Sequence, residues 1–338
     1  MSSDTPDVTV IIPTRDRWDV FRASALRAAL CQEGVSLEVV VVDDGSNDGT
    51  QASLATLQED TRIRVLRNEM SRGVSAARNR GIQLAAARWV AFLDDDDLWD
   101  PQKLHVQITR AEDQGAGFVF SSAVTLGRRR RPVAYRFVPS DSGDLVRLLC
   151  TGNPVPAGAS NVVVRRDLVQ DVGGFDERLS MVADRDLWLR LALAAPAACC
   201  SEVHVGYVQH DENMAVRHPS DVFREARLLT RKYAAWDSLP SQVDGSASVR
   251  WIAWANFWAG NRGRAARIAL RSGVRERLWT DLSLGLRFLV WASVPDRWAR
   301  TAWRLRHGRD RAARASAEPP PAPEWLTIYD DLPAVEAG

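Results

Sequence analysis

The chain of 338 residues has no uninterrupted apolar run of the roughly 18 residues that a membrane-spanning helix needs. It has only two lysines, Lys103 and Lys232, so almost all of its positive charge is arginine. The formal net charge is +1, which gives no global reason to expect a nucleic-acid partner. Four cysteines, Cys31, Cys150, Cys199 and Cys200, show neither CxxC spacing nor a companion histidine pattern. That argues against a zinc site and for reduced, mostly buried thiols in a cytoplasmic protein. The opening MSSDTPDV is polar and acidic, without the basic and apolar regions of a signal peptide. A soluble or membrane-peripheral protein is expected. With 46% hydrophobic residues, the chain is long enough for one large α/β domain plus an appendage.

What is present begins with strands. VTVII (residues 8–12) and LEVVVV (37–42) are continuous β-branched runs, the mark of strands buried on both faces of a parallel sheet. Apolar residues at helical spacing over 20–31 join them into a β-α-β unit. The alternation continues with IRVL (63–66), an alanine-rich helix over 74–87 and WVAFL (89–93), which argues for a doubly wound sheet. A helix over 98–114, strands over 118–125 and 161–164, a basic loop GRRRRP (127–132) and a helix over 187–194 are expected to follow. Beyond about residue 218, alanine, arginine, leucine and tryptophan dominate, and nine of the thirteen tryptophans lie after residue 230. Trp251, Trp254 and Trp258 share one helical face, so this part reads as a helical appendage. The stretch from about Ala315, with EPPPAPEW, reads as a disordered Pro-rich tail.

In an open parallel sheet, ligands bind beyond the carboxyl ends of the strands. Three polar segments fall there: Pro13-Thr14-Arg15-Asp16-Arg17, Asp43-Asp44-Gly45-Ser46, and the four aspartates Asp94 to Asp97. Clustered carboxylates raise one another's pKa unless a cation compensates them, and Mg²⁺ or Mn²⁺ is an economical compensator that also takes substrate phosphates. Asp100 and Pro101 read as the N-cap and first residue of a helix, and Asp97 as shaping the turn before it. Gly73 permits a tight turn, and Arg72 and Arg78 carry forks suited to phosphate oxygens.

Together these segments resemble family 2 glycosyltransferases, nucleotide-sugar-dependent enzymes of the GT-A fold. The resemblance covers roughly residues 7–217, through VTVIIPTRDR, VVVDDGSNDGT, SRGVSAARNRGI, WVAFLDDDDLWDPQKL, VGGFDE, ADRDLWLRL and YVQHDENMA in order. It implies an α/β GT-A fold, Rossmann-like with a mostly parallel sheet flanked by helices, as a catalytic domain over 1–217. A helical C-terminal region (218–314) and the tail (315–338) would follow. It also implies a nucleotide pocket lined by Pro13, Thr14 and Arg15, a base held by Asp44 beside Asp43, and Arg72, Gly73 and Arg78 near the pyrophosphate. Asp94 and Asp95 would face the donor, Asp95 at its ribose, while Asp96 and His210 would hold Mn²⁺ or Mg²⁺.

Asp184 would be the catalytic base. The family's usual glutamate before it is replaced by Ala183, and Asp186 reads as an acid facing the helix dipole. The implied reaction is single-displacement, inverting transfer from a nucleotide-diphosphate sugar, a UDP-sugar first, to a glycan or lipid-linked acceptor in bacterial cell-surface polysaccharide or glycolipid assembly. Part of NPVPAGAS (153–160) would select the donor's hydroxyl pattern. Two rivals stand beside it. A nucleotidyltransferase would need a Gly-rich phosphate loop after the first strand, which PTRDRW lacks, and Ala183 leaves room for a catalytically silent nucleotide-sugar-binding subunit. Residues 282–314, apolar and then arginine-rich, are a candidate for peripheral association with the inner face of the cell membrane, or else an ordinary packed helical subdomain.

Overall fold

The structure is a computed structural model that describes residues 5–127, 129–138, 143–210, 213, 221–237, 239–258, 261–275, 279–292 and 321–332. The β-branched runs form β1 (Val8–Thr14), β2 (Leu37–Asp43), β3 (Ile63–Arg67) and β4 (Trp89–Phe92), parallel in the spatial order β3-β2-β1-β4. Every residue of β1 is buried, as strands covered on both faces must be. Helical chain over 18–30, comprising α1 (Trp18–Phe21), a π-helical turn and α2 (Arg27–Leu30), covers one face. After α3 (Thr50–Ala55), α4 (Val74–Leu84) covers the other, packed so closely that a Cβ on Gly81 would stand 2.4 Å from Ile11 Cγ2.

The sheet then turns mixed. β5 (Leu98–Trp99) is followed by α5 (Lys103–Asp113), β6 (Phe118–Leu126), β7 (Pro132–Arg136), α6 (Leu145–Thr151), β8 (Val163–Arg165), α7 (Arg166–Asp171), α8 (Ala183–Ala194) and β9 (Ala197–Val208). β8 pairs antiparallel with β4 and β6, and β9 runs parallel to β6 and antiparallel to β5. The helix expected over 98–114 therefore begins at Lys103. Asp100 accepts from Gln102 N–H through Oδ1 and from Lys103 N–H through its carbonyl, so it shapes a turn that frees Leu98 and Trp99 to pair as a strand.

Two apolar layers sandwich the sheet. One joins Val8, Val10 and Ile12 to Phe21, Trp99 and Leu104. The other joins Ile11, Val90 and Phe92 to Phe175, Leu187 and Trp188. The region after residue 218 is helical: α9 (Asp221–Tyr233), α10 (Ser246–Trp258), α11 (Arg262–Arg275) and α12 (Trp279–Ala292). It is a helical appendage with a core of its own, built from α9 to α12, and it joins the sheet through Leu229 and Tyr233 of α9, which belong to the second apolar layer. The buried face of α10 carries Val249, Ile252, Ala253 and Phe257, whereas Trp251 is exposed. Among the described residues, no helix is long and apolar enough to cross a membrane. Leu286, Leu289 and Val290 of α12 are exposed, and residues 293–314 of the expected interfacial segment lie outside the described residues.

Within the tail, residues 321–332 depart from the expectation of disorder. Residues 321–332 include a 3₁₀ turn, Glu324–Tyr329, whose Leu326 and Tyr329 are buried in the first apolar layer. Trp325 Nε1 donates to the Val203 carbonyl at 2.9 Å, Tyr329 Oη to the Trp99 carbonyl at 2.8 Å, and Arg27 pairs with Asp331 at 2.8 Å. The prolines mask a short apolar stripe, Trp325, Leu326, Ile328 and Tyr329, that has enough surface to dock.

Candidate active site

Register fixes the geometry of the site. Thr14 lies opposite Asp43 at the ends of β1 and β2, and Leu93 N–H bonds the Ile11 carbonyl, so the turns after β1, β2 and β4 open at one end of the sheet. The first two turns are stitched together: Ser46 Oγ accepts from Asp16 N–H at 2.9 Å, and Asp16 Oδ1 accepts from Asn47 N–H at 2.6 Å.

At the end of β4 the four aspartates diverge in role. Asp95 accepts from Thr14 Oγ1 at 2.9 Å and from Arg17 Nη1 at 2.7 Å. Asp96 Oδ2 lies 3.1 Å from Arg17 Nη2 and 2.9 Å from His210 Nε2. Asp94 pairs with Arg78, whose guanidinium also lies over the Phe175 ring. Asp97 is sealed, accepting from Ser160 Oγ at 2.5 Å and from Val208 N–H at 2.9 Å, so it ties the turn to the end of β9, just ahead of His210.

Burial is the largest influence on Asp95 and, with the neighbouring Asp96, outweighs Arg17 and pushes its carboxyl up to about 7. Burial also pushes Asp97 well above the usual carboxylate range, with Asp96 and Asp94 adding to it. On Asp96 burial is opposed by the His210 hydrogen bond and the Arg17 charge, which together hold it low.

Asp96 and His210 suit a divalent ion. A carboxylate oxygen and an imidazole nitrogen converge on one point, now held by Arg17 Nη2 at 3.1 and 3.2 Å. Among the described residues no group of three or more His, Cys, Asp and Glu side chains converges into a protein-only cage. Two protein donors with the remaining positions open match an ion that also binds phosphates and water, and the imidazole suits Mn²⁺. Of the motif around His210, Asp211, Glu212, Met214 and Ala215 lie outside the described residues.

Asp184 stands in the first turn of α8, partly exposed. Its Oδ2 accepts from Asn153 Nδ2 at 3.3 Å, and its Oδ1 from Arg185 N–H at 2.8 Å. Burial, the largest influence, raises its pKa. The Arg185 N–H and Arg78 work against that, and Asp94 adds to it. The 153–161 segment bridges the two acidic sites. Asn153 touches Asp184, and Gly158, at φ +52°, runs so close that a Cβ would stand 3.0 Å from Asp184 Oδ2. Ser160 accepts from Asp94 N–H at 3.0 Å while donating to Asp97.

Asp186 is a framework residue. It is fully buried, held by Lys232 at 2.8 Å, Arg190 at 2.7 Å and Tyr233 Oη at 2.9 Å. These side-chain partners, beyond the helix dipole, hold it.

The remaining expected residues divide. Pro13 is buried and Arg15 exposed beside Asp16. Asp43 accepts from Ser46 N–H at 2.9 Å and pairs with Arg67. Asp44, expected at the base, accepts four hydrogen bonds from the chain itself: Asn68 Nδ2, Arg72 N–H, Ser71 Oγ and Gly73 N–H at 2.7 to 2.9 Å. Its acceptor sites are filled, and its work is to fold the 68–73 loop that presents Arg72 and Gly73. The donors lower its pKa although burial, the largest influence, opposes them. Arg72 is largely exposed, with a long 3.4 Å contact to Glu177.

Sequence reasoning did not single out Arg17, Asn153 or Ser160 as individual site residues, nor Glu225. The Glu225 Oε2 accepts from the N–H groups of Ser180, Met181 and Val182 at 2.9, 2.8 and 3.3 Å, fixing the approach to Asp184 from α9. The usable signals were the position of Arg17 in PTRDR, at a strand end, and the NPVPAGAS segment that contains Asn153 and Ser160.

The glycosyl transferase family 2 profile matches residues 9–173. The succinoglycan biosynthesis protein ExoO of Rhizobium meliloti is 34% identical over 215 residues, 61% of each chain. An uncharacterized protein, MT1568, of Mycobacterium tuberculosis is 30% identical over 269 residues, 74% of this chain and 82% of its own. The Escherichia coli UDP-Glc:alpha-D-GlcNAc-diphosphoundecaprenol beta-1,3-glucosyltransferase WfgD is 33% identical over 34% of this chain and 45% of its own. The matches thus span less than two thirds of ExoO and of WfgD.

In three dimensions, residues 1–349 of S. aureus TarS in complex with UDP-GlcNAc superimpose with a TM-score of 0.58 at 17% identity, covering 82% of this chain and 89% of that one. The mannosyltransferase PcManGT of Pyrobaculum calidifontis, in complex with GDP-Man and Mn²⁺, gives 0.52 at 20% identity, covering 86% and 84%. With its strand-end carboxylates, its mixed α/β sheet and these relatives, the chain belongs to glycosyl transferase family 2 and has the GT-A fold.

Proposed function

We propose that this chain transfers a sugar from a nucleotide-diphosphate donor, a UDP-sugar, to an acceptor hydroxyl with inversion, in the assembly of a bacterial cell-surface polysaccharide or glycolipid. One observation carries the reading: a partly exposed aspartate of raised pKa, Asp184, and a cation-seeking cluster, Asp94 to Asp96, are joined by a single segment, 153–161. The names of the relatives support the donor and the product class, with UDP-Glc and a diphosphoundecaprenol acceptor in one and succinoglycan in another.

Asp96 and His210 would hold a divalent ion, Mn²⁺ or Mg²⁺, which supplies Lewis-acid stabilisation of the departing diphosphate. The chain's own residues do the rest. Asp95 orients the donor from a position fixed by Thr14 Oγ1, and Asp94 steers the Arg78 guanidinium toward the same end of the sheet. Arg72, exposed on the loop built by Asp44, adds positive charge for the diphosphate. Asp184 takes the proton from the acceptor hydroxyl as it attacks the anomeric carbon, and a raised pKa makes it the stronger base. Residues 1–217 are the catalytic unit in this reading, with α9 buttressing Asp184 through Glu225.

The test is donor hydrolysis and transfer with a panel of UDP-, GDP- and dTDP-sugars and Mn²⁺. Turnover of a UDP-sugar that Asp184→Asn abolishes while UDP binding survives is expected, and Asp96→Ala should weaken both. Near-full transfer by Asp184→Asn would sink the assignment.

A further inference from the structure

Arg17 has no part in the reaction as described, yet its side chain occupies the centre of the site. It stands in the turn between β1 and α1 and reaches partners 78 to 193 residues away in the chain. Nη1 donates to Asp95 Oδ1 at 2.7 Å and Nη2 to Asp96 Oδ2 at 3.1 Å, and Nη2 lies 3.2 Å from His210 Nε2. A guanidinium has N–H donors and no acceptor, so it can donate to Asp96 Oδ2 and to an Nε2 that carries no proton, whereas an Nε2–H would instead donate to Asp96 Oδ2, 2.9 Å away. In either tautomer one cationic nitrogen stands against the carboxylate oxygen and the imidazole nitrogen that a metal ion would use.

We propose that Arg17 is the resident counter-cation of the ligand-free site, and that a divalent ion at Asp96 and His210 displaces it rather than joining it. The inference rests on the reading of that pair as metal-holding. An ion taken up by both Asp96 Oδ2 and His210 Nε2 would have to share their surroundings with the Nη2 that now lies 3.1 and 3.2 Å from them, and the two positive charges would repel. The guanidinium therefore has to leave, and its planar fork becomes available to the anionic diphosphate that accompanies the metal. The free protein resists bare metal, and the metal enters efficiently with its nucleotide.

The experiment is a Mn²⁺ titration of the full chain followed by electron paramagnetic resonance, with and without UDP, in wild type, Arg17→Met, Arg17→Lys and Asp96→Asn. Without UDP, Arg17→Met should bind Mn²⁺ about tenfold tighter or more, because a competing charge at contact distance is gone. Arg17→Lys, which keeps the charge and loses the fork, should fall between. The melting midpoint of Arg17→Met should start below wild type and rise further than wild type on adding Mn²⁺. Folded Arg17→Met that binds Mn²⁺ no tighter than wild type overturns the proposal. Should Arg17→Met not fold, Arg17→Lys with wild-type or weaker Mn²⁺ affinity overturns it equally. Failure of the underlying reading is distinct: Asp96→Asn would then bind Mn²⁺ with UDP as tightly as wild type.

Discussion

The end of β4 and the first turn of α8 set out the same residue type in two ways. At Asp94, Asp95 and Asp96 the carboxylates are met by two guanidiniums, Arg17 and Arg78, and by the His210 imidazole, from three distant parts of the chain. At Asp184 the side-chain partner is a neutral amide, Asn153, and burial lifts the pKa. Each site pairs a carboxylate proposed to work in the reaction with a sealed one, Asp96 beside Asp97 and Asp184 near Asp186. Burial lifts Asp95 and Asp97 as well as Asp184, so the two sites differ in the cationic side chains beside the carboxylates rather than in burial. The environment, not the residue, assigns the chemistry.

The sharpest way to break this comparison is to neutralise both aspartates of α8. Asp184→Asn should lower kcat/KM by roughly 10²- to 10⁴-fold, the usual worth of a general base, with UDP affinity and thermal midpoint little changed. Asp186→Asn should do the reverse. Leaving Lys232 and Arg190 without their buried partner should cost about 3 to 5 kcal/mol in urea unfolding, with the folded fraction still turning over. If the two variants exchanged phenotypes, the assignment of base and framework would be inverted.

The pH profile sharpens the contrast more gently. Asp184 must be ionised to accept a proton, and its folded pKa lies above the ordinary 3.8. The acid limb of kcat/KM should therefore set in above the pH at which an exposed aspartate loses its charge. Arg78→Gln removes a cation that lowers that pKa, so the limb should move further up, and a downward move would contradict the electrostatics. The smallest effect is remote from both sites. Tyr329→Phe removes the bond to the Trp99 carbonyl and should lower stability by about 1 kcal/mol with kcat unchanged.

Much of this was legible in the chain itself. The β-branched runs became β1 to β4, and the strand ends came together because parallel strands all point their carboxyl ends one way. What was illegible has physical causes. β9 is broken by Ser201 and Glu202 in the middle of its buried pattern, and its partner β6 shifts register there, so no clean period marks it. The role of Asp44 is set by four donors that are 24 or more residues away. The 321–332 segment looked disordered because proline content speaks for the unfolded chain and says nothing of the surface waiting for Trp325 and Tyr329.

That docked segment has a kinetic meaning. Its ion pair with Arg27 spans 304 residues of chain, so the contact rewards the protein only after a very long loop has closed. Tyr329 lies against the Trp99 carbonyl and Trp325 against Val203, on strands that must already be paired. The segment is therefore a late and separable folding unit, and its amides should exchange with solvent through local detachment, well before those of β1.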